Sequence, residues 1–288
     1  LPLNAASEQF VTPEDIFVQA QPTTTRPTAG LVIAIDGPAG AGKSSVARKL
    51  ADQLGFDFLD TGAMYRCVTL AVLRRGIETN DEPSVLALAD QLSIEIDGAS
   101  VHLNGEDVSE AIRTPEVATA IGRIADNVAV RRLLSRLQRE WTVGRKVVTE
   151  GRDQGSEVFH DSPCKIFLVA GSDERARRRH CELAARGIEL ELATVLEQQN
   201  QRDLEDRSRP IGGLRKAADA IEVSTDGKTL SEVVAELRSV VLERLQMQPS
   251  DQPVNASDTK NEGQMLDGGE SQLHCSPLHC AKGQSELS

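Results

Sequence analysis

The sequence predicts an α/β fold: a five-stranded parallel sheet with helices on both faces. Leu31-Val32-Ile33-Ala34-Ile35 is a continuous apolar run, as expected of a strand covered on both sides. Comparable short runs recur at residues 56–59, 146–149, 165–170 and 221–224. Between them lie stretches with helical periodicity, and strand–helix alternation of this kind builds a parallel sheet.

Taken in order, residues 1–29 carry Gln21-Pro22-Thr23-Thr24-Thr25-Arg26-Pro27-Thr28, rich in helix and strand breakers, and predict a disordered N-terminal extension. The first strand run is followed by a glycine-rich loop and then by a helix over residues 45–54. Residues 93–105 alternate apolar and polar side chains around Gly-containing turns, which predicts a small antiparallel hairpin inserted into the parallel sheet. Val130, Leu133, Leu134, Leu137 and Trp141 share one helical face, as do Leu230, Val233, Val234, Leu237 and Val241. Thr229-Leu230-Ser231-Glu232 opens the latter as a capping box.

Residues 249–288 are rich in Pro, Ser, Gly, Asp and Gln and carry net charge −4; they predict a disordered acidic tail. Residues 30–248 form the expected folded unit. Neither flank buries enough apolar surface to offset the entropy of ordering it. The tail contains a tandem Leu-His-Cys over residues 273–280. Two His and two Cys are a zinc donor set, but the paired ligands lack the usual spacing loops, so an unstructured tail is the better reading.

Composition narrows the function. Lys and Arg total 32 against 44 Asp and Glu, a net charge of −12 and the wrong sign for broad adhesion to nucleic acid or anionic lipid. No apolar run approaches the roughly 18–20 residues of a bilayer-spanning helix, so no membrane association is expected. The five cysteines, Cys67, Cys164, Cys181, Cys275 and Cys280, are odd in number and scattered, unlike a disulfide framework. The N-terminus lacks a secretory pattern. A reducing, cytoplasmic setting is the expectation.

Gly37-Pro38-Ala39-Gly40-Ala41-Gly42-Lys43-Ser44 satisfies G-x-x-x-x-G-K-[ST] between a strand and a helix. Glycines let successive N–H groups converge on one concavity, and the following helix N-terminus adds its positive dipole end. In this pattern Gly37, Pro38, Ala39, Gly40, Ala41, Gly42, Lys43, Ser44 and Ser45 are expected to hold a nucleoside triphosphate. Lys43 reaches the β- and γ-phosphates, and the Ser44 hydroxyl ligates Mg²⁺.

The acceptor is less legible. There is no Asn-Lys-x-Asp guanine-reading sequence and no Leu-Ser-Gly-Gly-Gln transporter signature. Arginine is concentrated instead at Arg175, Arg177, Arg178 and Arg179, and at Arg202, Arg207 and Arg209. Phosphoryl transfer between two anions needs such charge and a cover that excludes water. The alternative is a solvated helix face paired with Asp173, Glu174 and Glu182. His160 and His180 read as loop and helix-surface residues.

Five segments in order resemble the bacterial cytidylate kinases, members of the nucleoside monophosphate kinases, over about residues 31–246. They are the run from Ile35 through Ser45, Leu59-Asp60-Thr61-Gly62-Ala63-Met64-Tyr65-Arg66, and Glu106-Asp107-Val108-Ser109-Glu110-Ala111-Ile112-Arg113-Thr114. Gly151-Arg152-Asp153-Gln154-Gly155 and Arg202-Asp203-Leu204-Glu205-Asp206-Arg207-Ser208-Arg209 complete the set. The resemblance implies a P-loop kinase moving the γ-phosphoryl group of ATP to CMP or dCMP, with Mg²⁺, in pyrimidine nucleotide metabolism. It implies a monophosphate-binding insertion at about residues 77–130 and an Arg-rich helical lid at about 173–214. The implied CMP-binding residues are Thr61, Tyr65, Arg66, Arg131, Arg152, Asp153, Arg202, Asp206 and Arg209. The implied catalytic residues are Lys43, Arg178, Arg179, Arg202 and Arg209. A monomer with small-molecule partners is expected; a related kinase using UMP or AMP, or a nucleotide-binding regulator, are the competing readings.

The chemistry is coherent with those roles. Cytosine offers an exocyclic amine beside ring acceptors, so a carboxylate and an arginine read it together, whereas uracil would face Asp153 acceptor to acceptor. The acceptor phosphate is already ionised, so alignment and charge neutralisation carry the rate. Two positions depart from the family pattern: Gly122 stands where a serine is usual, predicting a looser base preference. Gly212-Gly213-Leu214 replaces Ala-Pro-Leu and predicts a more flexible hinge.

Overall fold

The computed structural model describes residues 30–98 and 100–247. The expected N-terminal extension, the acidic tail and its Leu-His-Cys repeat lie outside the described residues. The central sheet contains β1 (Leu31–Asp36), β2 (Asp57–Asp60), β6 (Lys146–Gly151), β7 (Cys164–Val169) and β8 (Ile221–Ser224) in the order β2-β6-β1-β7-β8. All its pairings are parallel. The five apolar runs therefore become the five strands, their ends moved by a residue or two.

Pleat alternation divides the core. Ile33, Ile35, Val148, Ile166 and Leu168 pack against α1 (Lys43–Leu54) and α8 (Leu230–Leu245) through Val46, Leu50, Leu54, Val233 and Leu237. On the other face α2 (Thr61–Arg74), α3 (Glu82–Ala89), α4 (Pro115–Asp126) and α5 (Val128–Thr142) enclose a second core around Cys67, Val68, Ile112, Ile124 and Leu134. Asp60 caps α2 by accepting the Ala63 N–H at 2.9 Å, and Asn127 caps α5 by accepting those of Ala129 and Val130. The Thr229–Glu232 capping box opens α8 as its sequence predicts. Such caps satisfy N–H groups that the first helical turn leaves unpaired.

The inserted segment forms the expected hairpin, as β3 (Ile94–Asp97) and β4 (Ser100–Leu103), and adds a third short strand, β5 (Glu106–Asp107). Together they make a separate three-stranded antiparallel sheet. Strand β5 is two exposed acidic residues long, too short to show alternation.

A last pair of helices, α6 (Ser172–Ala185) and α7 (Leu192–Ser208), shares a small cluster of its own, with Ala176, Leu183 and Val195 buried. Among the described residues Cys67 and Cys164 are buried free thiols. No helix of the described residues is long and apolar enough to cross a membrane.

Candidate active site

Register assembles the site. Asp36 of β1 pairs with Gly151 of β6, and Glu150 pairs with Asp60 of β2. The glycine loop, the Gly151-Arg152-Asp153 turn and the start of α2 therefore emerge side by side from the carboxyl edge of the sheet, where ligands of open α/β folds bind. Gly37 is required by packing: a Cβ there would lie 2.3 Å from the Leu168 carbonyl oxygen. Asp36, buried just before the loop, accepts the N–H groups of Gln154 and Gly155 at 2.8 and 2.7 Å and so ties the loop to the turn. Burial raises its carboxyl to about 7, against the pull of those two N–H groups.

Lys43 is buried, and its Nζ donates to the Pro38 carbonyl at 2.8 Å. Burial, and then the Arg152 guanidinium, lowers it to about 7, with Glu150, Asp206 and Asp36 opposing. The Ser44 hydroxyl donates to Glu150 Oε1 at 2.9 Å. Sequence reading passed over Glu150; the signal was an acid closing an apolar strand directly before the Gly-Arg-Asp turn. Thr61 is turned to the scaffold here, donating to the Glu150 carbonyl at 2.6 Å.

Guanidiniums from four elements come within electrostatic reach of one another, and Arg152 among them acts on Lys43. Arg66 comes from α2, Arg152 from the turn after β6, Arg179 from α6 and Arg202 from α7. Arg202 is lowered to about 10 by burial and then by Arg152, with Arg66 and Arg179 adding to the effect. Arg66 is likewise lowered by burial, and Arg113 and Arg179 contribute. Neither Arg66 nor Arg202 forms an ion pair among the described residues. Crowded, partly desolvated guanidiniums of this kind favour a multiply charged anion.

Asp206 anchors the group. Its Oδ2 accepts from Arg152 Nε at 2.7 Å and its Oδ1 from Arg209, while Arg209 Nε reaches Asp126 at the end of α4 at 2.6 Å. Deeper in, Arg131 Nη2 and Asp153 Oδ2 form a buried pair at 2.6 Å, with the Arg131 guanidinium 5.5 Å from the Tyr65 ring centroid. A cavity of about 480 Å³ opens onto that pair between α5 and Ile211.

Two sequence expectations change. Arg178, expected among the catalytic arginines, spends its guanidinium on Thr225 Oγ1 and O, both at 2.9 Å, and on Glu174 at 3.0 Å. Thr225 in turn donates to the Ala41 carbonyl, so Arg178 braces the glycine loop from behind. The Gly212-Gly213-Leu214 segment is packed rather than hinge-like: the Gly212 N–H and carbonyl are both engaged, and Leu214 is buried with its N–H on the Asp206 carbonyl. At Gly122 the structure leaves open space beyond the missing side chain.

A glycine loop closing the central strand, overlooked by arginines from helices on every side, is the construction of a P-loop kinase. The cytidylate kinase family model matches residues 33–243. A cytidylate kinase of Rhodopirellula baltica is 50% identical over 75% of this chain and 94% of its own length, and one of Carboxydothermus hydrogenoformans is 46% identical over 73% and 96%. A gluconokinase structure from Sinorhizobium meliloti covers 78% of this chain and 99% of its own at 18% identity and a TM-score of 0.38, a likeness too slight to carry an assignment. The chain belongs to the cytidylate kinase family.

Proposed function

We propose that this chain transfers the γ-phosphoryl group of ATP to CMP or dCMP, giving CDP or dCDP and ADP. The observation that carries this reading is the buried Arg131–Asp153 pair, whose Asp153 directly follows Arg152 of the Arg152–Asp206–Arg209 group. The pair offers a donor and an acceptor to the cytosine edge, while Arg66, Arg152 and Arg202 take the monophosphate.

ATP sits on the loop from Gly37 to Ser45. Lys43 exchanges the Pro38 carbonyl for the β- and γ-phosphates, and Arg179, Arg202 and Arg209 neutralise charge on the migrating group. The oxygens of Ser44 and Glu150, 2.9 Å apart, are the hard donors that Mg²⁺ prefers. Among the described residues no cluster of three His, Cys, Asp or Glu offers a complete cage, as suits an ion held largely by phosphates and water. When bound with ATP, Mg²⁺ would neutralise phosphate charge, with Ser44 and Glu150 as the residues that would hold it. No strong base is required of the protein, because the acceptor oxygen is already ionised.

The segment at about 77–130 forms the monophosphate-binding insertion, and α6 and α7, within about 173–214, form the lid that excludes water. Small-molecule partners, a cytoplasmic setting and a monomeric state belong to the same reading, and a net charge of −12 disfavours broad adhesion to nucleic acid. ADP release measured with CMP, dCMP, UMP and AMP tests the assignment. Turnover should be fastest with the two cytidine nucleotides, and an AMP rate equal to that with CMP would overturn it.

A further inference from the structure

Groups from three parts of the chain close a ring around the base end of the site. Arg131 Nη2 donates both to Asp153 at 2.6 Å and to the Gly212 carbonyl at 3.2 Å. On its other side, the Gly212 N–H donates to both carboxylate oxygens of Glu157, at 2.9 and 2.8 Å. The path returns to Asp153 through the single π-helical turn Gln154–Val158, where the N–H groups of Glu157 and Val158 donate to the Asp153 carbonyl at 2.9 and 3.0 Å. Arg139, two turns along α5 from Arg131, steadies that turn by donating to the Glu157 carbonyl at 3.1 Å.

The glycine is part of the fit. Gly212 has φ +69, and a Cβ on it would lie 1.5 Å from Arg131 Nη2. The guanidinium thus occupies the space a side chain would fill, and reaches the carbonyl only because none is there. A carboxylate on the N–H of that same residue is a charge-assisted contact, which sets the orientation of the flanking peptide groups. Glu157 does not need to touch a substrate to have this effect.

We propose that Glu157 is a specificity-determining positioning residue: by pinning Gly212 it holds the Gly212 carbonyl against Arg131, and so fixes the Arg131–Asp153 pair for the acceptor base. This rests on the reading of Arg131 and Asp153 as the groups that recognise cytosine. Glu157 sits on the acceptor side: its carboxylate binds Gly212, while the ring meets the strand before the ATP loop through Asp36 and the turn backbone.

Steady-state kinetics on the full chain, with CMP and with UMP as acceptor, test it. In Glu157→Ala the KM for CMP should rise, and the CMP-over-UMP ratio of kcat/KM fall, each by about tenfold, the equivalent of one charge-assisted hydrogen bond. The KM for ATP should stay within about twofold. Glu157→Gln keeps an oxygen for the Gly212 N–H and should restore both quantities to within about threefold of the parent. An unchanged base ratio in Glu157→Ala, or KM values for ATP and CMP that shift together, would overturn the proposal. Should Glu157→Ala not fold, Gly212→Ala breaks the ring from its other side, and an unchanged ratio there has the same meaning. Asp153→Asn separates the two levels. Full CMP preference in Asp153→Asn removes the base-reading assignment itself, whereas lost preference there beside a neutral Glu157→Ala removes only the role of Glu157.

Discussion

Arg152 Nε stands 2.7 Å from Asp206 Oδ2, joining the rim of the sheet to α7. Burial works to raise the Asp206 carboxyl, but Arg152, then Arg209 and Arg202, hold it down at about 2. A carboxyl lowered on folding contributes stability above its ordinary value near 4, and that contribution is lost as pH falls through the folded value. Asp206→Asn should therefore destabilise the chain by about 3 kcal/mol at pH 7, by removing the carboxylate that Arg152 and Arg209 share and leaving Arg152 uncompensated. The deficit should shrink between pH 4 and pH 2. Urea unfolding midpoints of both proteins across that range measure it, and a constant gap would show that the pairing is not what Asp206 contributes.

Lys43 leads to a pH dependence of a different sign. A lysine lowered to about 7 by burial and by Arg152 is half-discharged near neutrality, whereas one facing phosphates is charged. ATP affinity should fall roughly tenfold per pH unit above 7, with proton uptake on binding. Calorimetric titration in two buffers of different ionisation enthalpy reads that uptake directly. Lys43→Ala should abolish both the uptake and the transfer reaction.

Gly122, half-buried on α4, tests the base preference. A Cβ there meets nothing within 4 Å. Gly122→Ser should be accommodated and should raise stability by about 0.5 kcal/mol through helix propensity. If the absent hydroxyl is what loosens base reading, kcat/KM for CMP over UMP will rise by several-fold in this variant. A ratio equal to that of the parent chain would separate this position from specificity.

Glu150→Gln keeps the shape of the side chain that meets Ser44 and removes its charge. The Mg²⁺ concentration giving half-maximal rate should rise by about tenfold, a loss of roughly 1.4 kcal/mol. KM for CMP should move far less. Equal shifts in both would place Glu150 in the acceptor site instead.

The sequence carried the frame of the fold well because strands buried on both faces leave continuous apolar runs, and because the glycine loop has a spacing dictated by phosphate geometry. It carried the arginines for the same reason: an acidic chain gathers positive charge only where an anion must be met. What stayed hidden depends on three-dimensional register. Glu150 lies 106 positions from the serine it touches. Strand β5 is two residues of acid with no periodicity to read. Arg178 belongs to a run of arginines that look alike in sequence, and only the position of Thr225 separates it from Arg179. Gly212 suggested slack because glycine permits motion, while its neighbours use it for close approach.

The α6–α7 pair shares a small apolar cluster apart from both main cores, with the buried Arg175–Asp203 ion pair beside it. So small a cluster predicts sub-global opening, read as amide exchange faster than along β1. Under the proposed reading of α6 and α7 as the lid, the cover can be unseated once per turnover without loosening the sheet that fixes Lys43. Mutational drift in that pair would then retune product release while the fold underneath keeps its melting behaviour.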